Sequence, residues 1–482
     1  MSYFNQITST FAGANQSAFG TLETNELSPV FQGDFAYGIN TQLWNYFYTF
    51  TVTAPAVAPL IGDQYTNTNS TFTVIYISGT TIIMQGTGTP AASGNLVRVT
   101  GIGSTPIVYS AFTSSAGVSV GAGALVDTDT GRLRLQSGTS ATGFAYITSR
   151  KVLRHRAGQG TTARFTPLFT TGVANSTQLW GVGGIISNAP YDGFYFGYNG
   201  ISYGIVHYIG ATPTWYSQSV DWNGDKVNGT AGTSFTLDPT KGSAVMIKYP
   251  YLGFGNVLFF IQNPTDSTWV LVHTIRYANT TTTPELTNPS LQFVCYNANS
   301  GAVANKIMYA GSVGMFISGV VSLFSNIKYA ADSTKTTVTT EVCALSLRNC
   351  STFNGVINRG VIRLNSLSIG QGSTTNNNTA TLRIKIGGTL GGTPSYTPIK
   401  GTTTDNGATI TAGNSITSFD TAATTISGGT YIYNMSLGTG AGMIIDLSTL
   451  GLFINPNEIC SITITSQASA TIAVSINWSE DI

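Results

Sequence analysis

Gly193-Phe-Tyr-Phe-Gly-Tyr198, then Asn199-Gly200, then Ile201-Ser-Tyr-Gly-Ile-Val-His207 is the stretch that decides the fold. Two runs of aromatic and β-branched residues flank the dipeptide that best suits the positive-φ positions of a tight hairpin. Three more strand candidates follow: Ala244 to Tyr249, Asn256 to Ile261 and Trp269 to Tyr277. Tyr249-Pro-Tyr-Leu-Gly-Phe-Gly255 and Asn263-Pro-Thr-Asp266 separate them, and such residues break strands. The block from Tyr191 to Tyr277 therefore reads as one antiparallel meander. It is too apolar to face water on both sides, so a second sheet must cover it, and the block forms half of a β-sandwich.

The rest of the composition agrees. Of the 482 residues, 42% are hydrophobic and only 9% are charged, where soluble domains average roughly 25%. The chain holds six Glu, none between Glu26 and Glu285, while Ser, Thr, Asn and Gly abound. Helix formers are scarce and strand formers plentiful, which predicts an all-β protein of multiple antiparallel β-sandwich or jelly-roll domains. A net charge of +1 supplies no field to gather nucleic acid. The apolar runs fall short of the ~20 residues that span a bilayer. The start, Met-Ser-Tyr-Phe-Asn-Gln-Ile-Thr, lacks the basic and apolar regions of a secretion signal. Cys295, Cys343, Cys350 and Cys460 lack metal spacing and read as free thiols.

Turn signals divide the chain into an N-terminal arm (1–20), an N-terminal β region carrying a small inserted β module (21–125), a central lectin-like or jelly-roll sandwich (126–334) and a C-terminal sandwich (335–482). Short strands between Phe72 and Val120 make up the inserted module.

Catalytic motifs are weak throughout. Gly117-Val-Ser119-Val-Gly121 spells a nucleophile elbow, but no helix pattern follows it. Gly158-Gln-Gly160 runs into Arg164-Phe-Thr-Pro167 rather than into a helix, and no Gly-Lys pair exists for a phosphate loop. The three histidines, His155, His207 and His273, suit no zinc site. The central aspartates sit in turn contexts rather than as the facing pair that sugar hydrolysis needs. The reading is of a protein that is not an enzyme.

Three binding candidates stand out. Trp215, Tyr216 and Trp222 lie in the polar segment Thr212 to Asn228, where exposed rings could stack on sugars; the alternative is that they plug the sandwich. Asp221, Asn223 and Asp225 have the 1, 3, 5 oxygen spacing of a structural Ca2+ loop but lack its glycine at the sixth place, where Lys226 stands, and its closing glutamate. Arg132 to Arg164 holds seven of the 21 positive side chains, and Arg150, Lys151, Arg154 and Arg156 form a candidate docking patch for an acidic partner.

Several segments carry a resemblance. Gly20-Thr-Leu-Glu-Thr-Asn-Glu-Leu-Ser-Pro-Val-Phe-Gln, Asp192-Gly-Phe-Tyr-Phe-Gly-Tyr-Asn-Gly, Thr236-Leu-Asp-Pro-Thr-Lys, Tyr249-Pro-Tyr-Leu-Gly-Phe-Gly and Val272-His-Thr-Ile-Arg-Tyr-Ala-Asn are similar to segments that recur in this order in virion structural proteins. These are fibre, tail or minor capsid components of tailed phages and large aquatic DNA viruses, and the ending Val474-Ser-Ile-Asn-Trp-Ser-Glu-Asp looks like theirs too. The resemblance implies a structural protein displayed on the virion and assembled in the host cytoplasm. It would contact other virion proteins, form a homo-oligomer (trimers are common in such fibres) and take part in host attachment. The alternatives are a dedicated receptor- or carbohydrate-binding head and, behind it, a polysaccharide depolymerase.

Overall fold

The structure is a computed structural model describing residues between 14 and 481. Stretches of five or more residues outside the description are 1–13, 17–21, 54–58, 88–92, 99–106, 319–326, 373–377 and 410–414. Among the described residues every strand pairing is antiparallel, and the single helical element is a 3-10 turn at Ser448–Leu450. The all-β sandwich reading holds. No helix among the described residues is long and apolar enough to cross a membrane. The chain divides into two compact units, 1–47 with 115–322 and 48–114 with 323–482.

The first unit is a sandwich. Its front sheet runs, in spatial order, Val118–Val120, Phe144–Leu153, Leu291–Asn299, Ser176–Ile186, Ala189–Asn199, Ser202–Ile209 and Thr212–Ser217. Its back sheet runs Ala124–Asp129, Arg132–Ser137, Ile307–Ser318, Thr161–Leu168, Val245–Tyr249, Val257–Gln262 and Trp269–Ile275. Leu27–Asp34 adds to it by pairing with Ile307–Ser318. Inward-facing aromatics fill the space between. Phe293 is the hub, its ring 5.2 Å from Trp180, 5.4 Å from Phe165 and 6.0 Å from Trp44. Each such ring removes on the order of 150–250 Å² from water, so this cluster supplies much of the unit's stability.

Three expectations change here. The block from Tyr191 to Tyr277 is not one meander. Its first three strands lie in the front sheet and its last three in the back sheet, so it supplies both halves of the sandwich. The segment 218–244 carries the chain across, a connection that local strand patterning cannot reveal. The hairpin turn is shifted by one residue: Asn199 pairs with Ser202, Gly200 takes φ +59°, and Ile201 is 76% exposed at the tip. A two-residue turn with glycine first matches the right-handed strand twist, and this placement keeps Phe194 and Phe196 inward. The domain boundaries move as well. Leu27–Asp34 and Val118–Val120 belong to the sandwich, so 21–125 is not one region.

In the second unit, six strands from Phe47–Val52 to Ile107–Ser115 close into a barrel. Phe50 sits at its centre, 5.3 Å from the Phe72 ring and 5.0 Å from that of Tyr109. Residues 327–481 build a further sandwich. Its five-stranded sheet contains Ile327–Val338, Ala470–Asp481, Val361–Gly372 and Gly442–Asp446 in that order, with Phe453–Ile454 beside the third. Its six-stranded sheet ends on Thr397–Pro398 at one side and Thr430–Leu437 at the other. Leu345, Leu364, Ile462, Ile476 and Trp478 pack between them. All four cysteines are free.

Candidate functional site

Alternation along the front strands sends one set of side chains into the core and the other outward. Trp180, Phe194, Phe196, Ile205 and Phe293 go inward. Leu179, Tyr195, Val206 and Val294 form a second apolar cluster on the outer face, with Ile185, Tyr208, Trp215 and Tyr296 packed against it. Strand register gives the layout. One row reads Thr148, Val294, Gly181, Tyr195, Val206, Trp215, and the next reads Tyr146, Tyr296, Leu179, Gly197, Gly204, Ser217. Gly183 and Gly193 face each other beyond the first row.

Five glycines thus run through an otherwise aromatic face, and they are needed there. A Cβ at Gly197 would strike the carbonyl oxygen of Gln178, and one at Gly204 the carbonyl of Tyr216. A Cβ at Gly183 would strike the Tyr195 hydroxyl, so the Tyr195 ring lies over that glycine. Glycine lets backbone or ring approach closely where any other residue would hold them off. The result is a glycine floor bordered by Tyr146 and Tyr296 on one side and by Tyr195, Tyr208 and Trp215 on the other.

The polar groups of this face are few. Tyr146 donates to Asn188 Oδ1 at 2.8 Å and Tyr195 to the Asp192 carbonyl at 3.1 Å. Burial holds the phenols of Tyr146, Tyr208 and Tyr296 above the usual range, so all three remain neutral. Two buried donors, Trp215 Nε1 and Asn188 Nδ2, have no hydrogen-bond partner among the described residues. The indoles of Trp44 and Trp180 share that condition but lie inside the core. The seven front strands carry one carboxylate, Asp192, and it accepts from Gly210 N, Thr287 N, Thr287 Oγ1 and Asn288 N.

The three aromatic candidates do not share a face. Trp215 lies on the outer surface described above. Tyr216 points the opposite way, its ring 4.7 Å from that of His273. Trp222 is 2% exposed, packs on Phe196 and Tyr203, and donates Nε1 to the Tyr216 carbonyl at 3.1 Å. It is a plug, because the front sheet and the back sheet both end where segment 218–237 passes. Burying an indole there seals the core between them.

The proposed Ca2+ ligands are committed elsewhere. Asp221 accepts from Ser217 N at 2.8 Å, and Asp225 from Val227 N at 2.8 Å and Ser234 N at 2.7 Å. Asn223 exchanges two bonds with Thr274, while Gly224 N and Asp225 N donate to the Val272 and Leu271 carbonyls. The segment docks on the free edge of Trp269–Ile275 and covers it, a known way of protecting a sheet edge. Among the described residues no group of three His, Cys, Asp or Glu is placed to hold a metal ion.

The basic run does not form one exposed patch. Lys151 is exposed and Arg150 half-buried, whereas Arg154 is only 7% exposed. Arg156 lies outside the described residues. Strand alternation near the end of Phe144–Leu153 turns neighbouring cations to opposite sides.

Sequence reasoning passed over Tyr146, Tyr208 and Tyr296. The Gly-aromatic alternation of Gly193-Phe-Tyr-Phe-Gly-Tyr198, in which Phe194 and Phe196 face inward while Tyr195 faces outward, marks the face for Tyr195 alone, and no local pattern marks the other three.

No protein-family model matches this chain, and no curated protein is similar to it. Among solved structures, the carbohydrate recognition domain of Emp47p is similar at 10% identity and a TM-score of 0.26, covering 41% of this chain and 87% of its own. The legume lectin-like domain from Entamoeba histolytica matches at 10% identity and 0.26, covering 40% and 86%. A beta-1,3-glucanase from Mycobacterium marinum matches at 13% and 0.27, covering 39% and 76%.

Proposed function

We propose that this protein binds glycans without cleaving them, through the outer face of the front sheet of its first sandwich. The observation that carries this reading is the pair of orphaned donors, Trp215 Nε1 and Asn188 Nδ2, on a face where Tyr208, Trp215 and Tyr296 are half-buried and Tyr146 and Tyr195 are buried around a glycine floor. Sugars present apolar CH faces that stack on rings, and ring or hydroxyl oxygens that accept from such donors. The only carboxylate of these strands is held by four donors, which supports binding over hydrolysis. A glycan array followed by calorimetry tests the reading. Binding should be lost in Trp215→Ala and Tyr208→Ala while both variants keep a wild-type circular-dichroism spectrum. Undiminished binding in both would sink it.

Display on a viral particle is a second reading, favoured by the ordered segments that resemble virion proteins and by a surface built from hydroxyls and amides. Attachment to a host glycan would unite the two. Immunogold labelling of purified particles with an antibody to this chain is the test, and unlabelled particles would exclude it.

A further inference from the structure

The C-terminal sandwich leaves two of its edge strands, Thr430–Leu437 and Gly442–Asp446, without the usual protection. Its Ile327–Val338 edge carries Lys328, Asp332 and Lys335, and its Thr397–Pro398 edge is two residues long and ends in proline. Charge, proline and brevity are the usual devices against edge-to-edge association. Gly442–Asp446, the opposite edge of the five-stranded sheet, has none of them along its length before Asp446. It pairs with Ser366–Gly370 in unbroken register and exposes Met443 at 48% and Ile444 at 78%. The first sandwich covers the comparable edge with its 223–225 segment, which makes this one conspicuous.

Beside Ile444 the outer face of the same sheet is hollow. Register aligns Asp332, Ser475, Ser368 and Ile444 in one row and Thr334, Ala473, Gly370 and Gly442 in the next. These small side chains leave an open trough of about 690 Å³ with Ile444 standing at its rim. Nothing lies within 4 Å of where a Gly370 Cβ would be.

We propose that this face is the interface with a second copy of the chain, paired about a two-fold axis so that each copy's Ile444 enters the other's trough. A protruding apolar side chain next to a cavity lined by Ser368, Gly370 and Ala473 is self-complementary. A two-fold interface requires that property, because the same patch must serve both sides. Like-charge repulsion is small: the chain carries a net charge of +1, and Asp332 is the one ionisable group lining the trough. An acidic partner would find no complementary charge in the trough and a basic one only Asp332, whereas a second copy needs none.

Sedimentation equilibrium of the full chain at micromolar concentration tests this, alongside Ile444→Asp and Gly370→Leu. The first variant removes the knob and the second fills the hole. Both sites are open, so each variant should keep the wild-type circular-dichroism spectrum. The wild type should run at twice 50.7 kDa and both variants at 50.7 kDa. A monomeric wild type, a trimer, or a dimer that survives both substitutions would overturn the assignment.

Discussion

His207 donates its Nε2 hydrogen to the backbone carbonyl of Glu285 at 2.6 Å, while the carboxyl of that same Glu285 is fully buried and has no hydrogen-bond partner among the described residues. Tyr277 lies 3.4 Å from His207 Nδ1 and donates to it, so the imidazole is held neutral. Asp192, also buried, acts on this ring through its charge and opposes part of the effect of burial. The result is a sealed cluster that disfavours charge in either direction.

That cluster sets a pH optimum. Burial raises Glu285 from 4.5 to about 8 and lowers His207 and His273 from 6.5 to about 4. The folded state keeps a proton on Glu285 that the unfolded chain releases, so stability falls as pH rises from 4.5 through 8. The histidines act oppositely: their contribution is present above 6.5 and is lost as pH falls toward 4. Together these groups place maximal stability near pH 6.5. Glu285→Gln should remove the alkaline limb and stabilise the fold at pH 8 by on the order of 2–4 kcal/mol. Urea unfolding at pH 5, 6.5 and 8 measures this, and an unchanged alkaline limb in the variant would refute it.

Trp222 and Trp215 should separate cleanly. Trp222→Ala empties a core position and is expected to cost about 3–5 kcal/mol. Trp215→Ala removes a half-buried ring from an edge strand and should cost about 1 kcal/mol. Thermal unfolding of the two variants decides the matter. Equal losses would mean that Trp222 does not seal the core.

Calcium should have no effect on the fold. The oxygens of Asp221, Asn223 and Asp225 already accept from backbone amides, so adding Ca2+ or a chelator is expected to move the melting temperature by less than about 1 °C. Asp225→Ala should cost about 1–2 kcal/mol whether or not Ca2+ is present. Stabilisation that appears only with Ca2+ and vanishes in this variant would restore the metal site.

Gly197→Val tests the glycine floor. Its side chain would meet the Gln178 carbonyl on the neighbouring strand, and a backbone obstacle cannot rotate away. A loss of at least about 2 kcal/mol is expected. A variant as stable as the wild type would show that close strand approach is not required here.

Charge reversal in the basic run should divide by burial. Lys151→Glu is expected to change stability by no more than ~0.5 kcal/mol. Arg154→Glu places a carboxylate in a site built for a guanidinium and should cost about 3 kcal/mol or more. Similar melting curves for the two would contradict the burial seen for Arg154.

Much of this protein was legible in the order of its residues. Scarce Glu and Lys, abundant Thr and aromatics, and glycine or proline between short runs dictate strands, and strands with two apolar faces dictate sandwiches. The hairpin of Phe194 to His207 was readable to within one residue, since alternation and turn chemistry act over a few positions. Which strands share a sheet was not, because sheet membership depends on pairings between residues far apart, such as Thr161 with Ile317 and Phe144 with Ala298. The same limit governs the sites. A sequence shows that Trp215, Tyr216 and Trp222 are close along the chain, but the pleat and a turn send them to the outer face, the sheet margin and the core. Only the folded sheet brings Tyr146, Tyr296 and Trp215 to one surface, because cross-strand register, not chain proximity, decides which side chains meet.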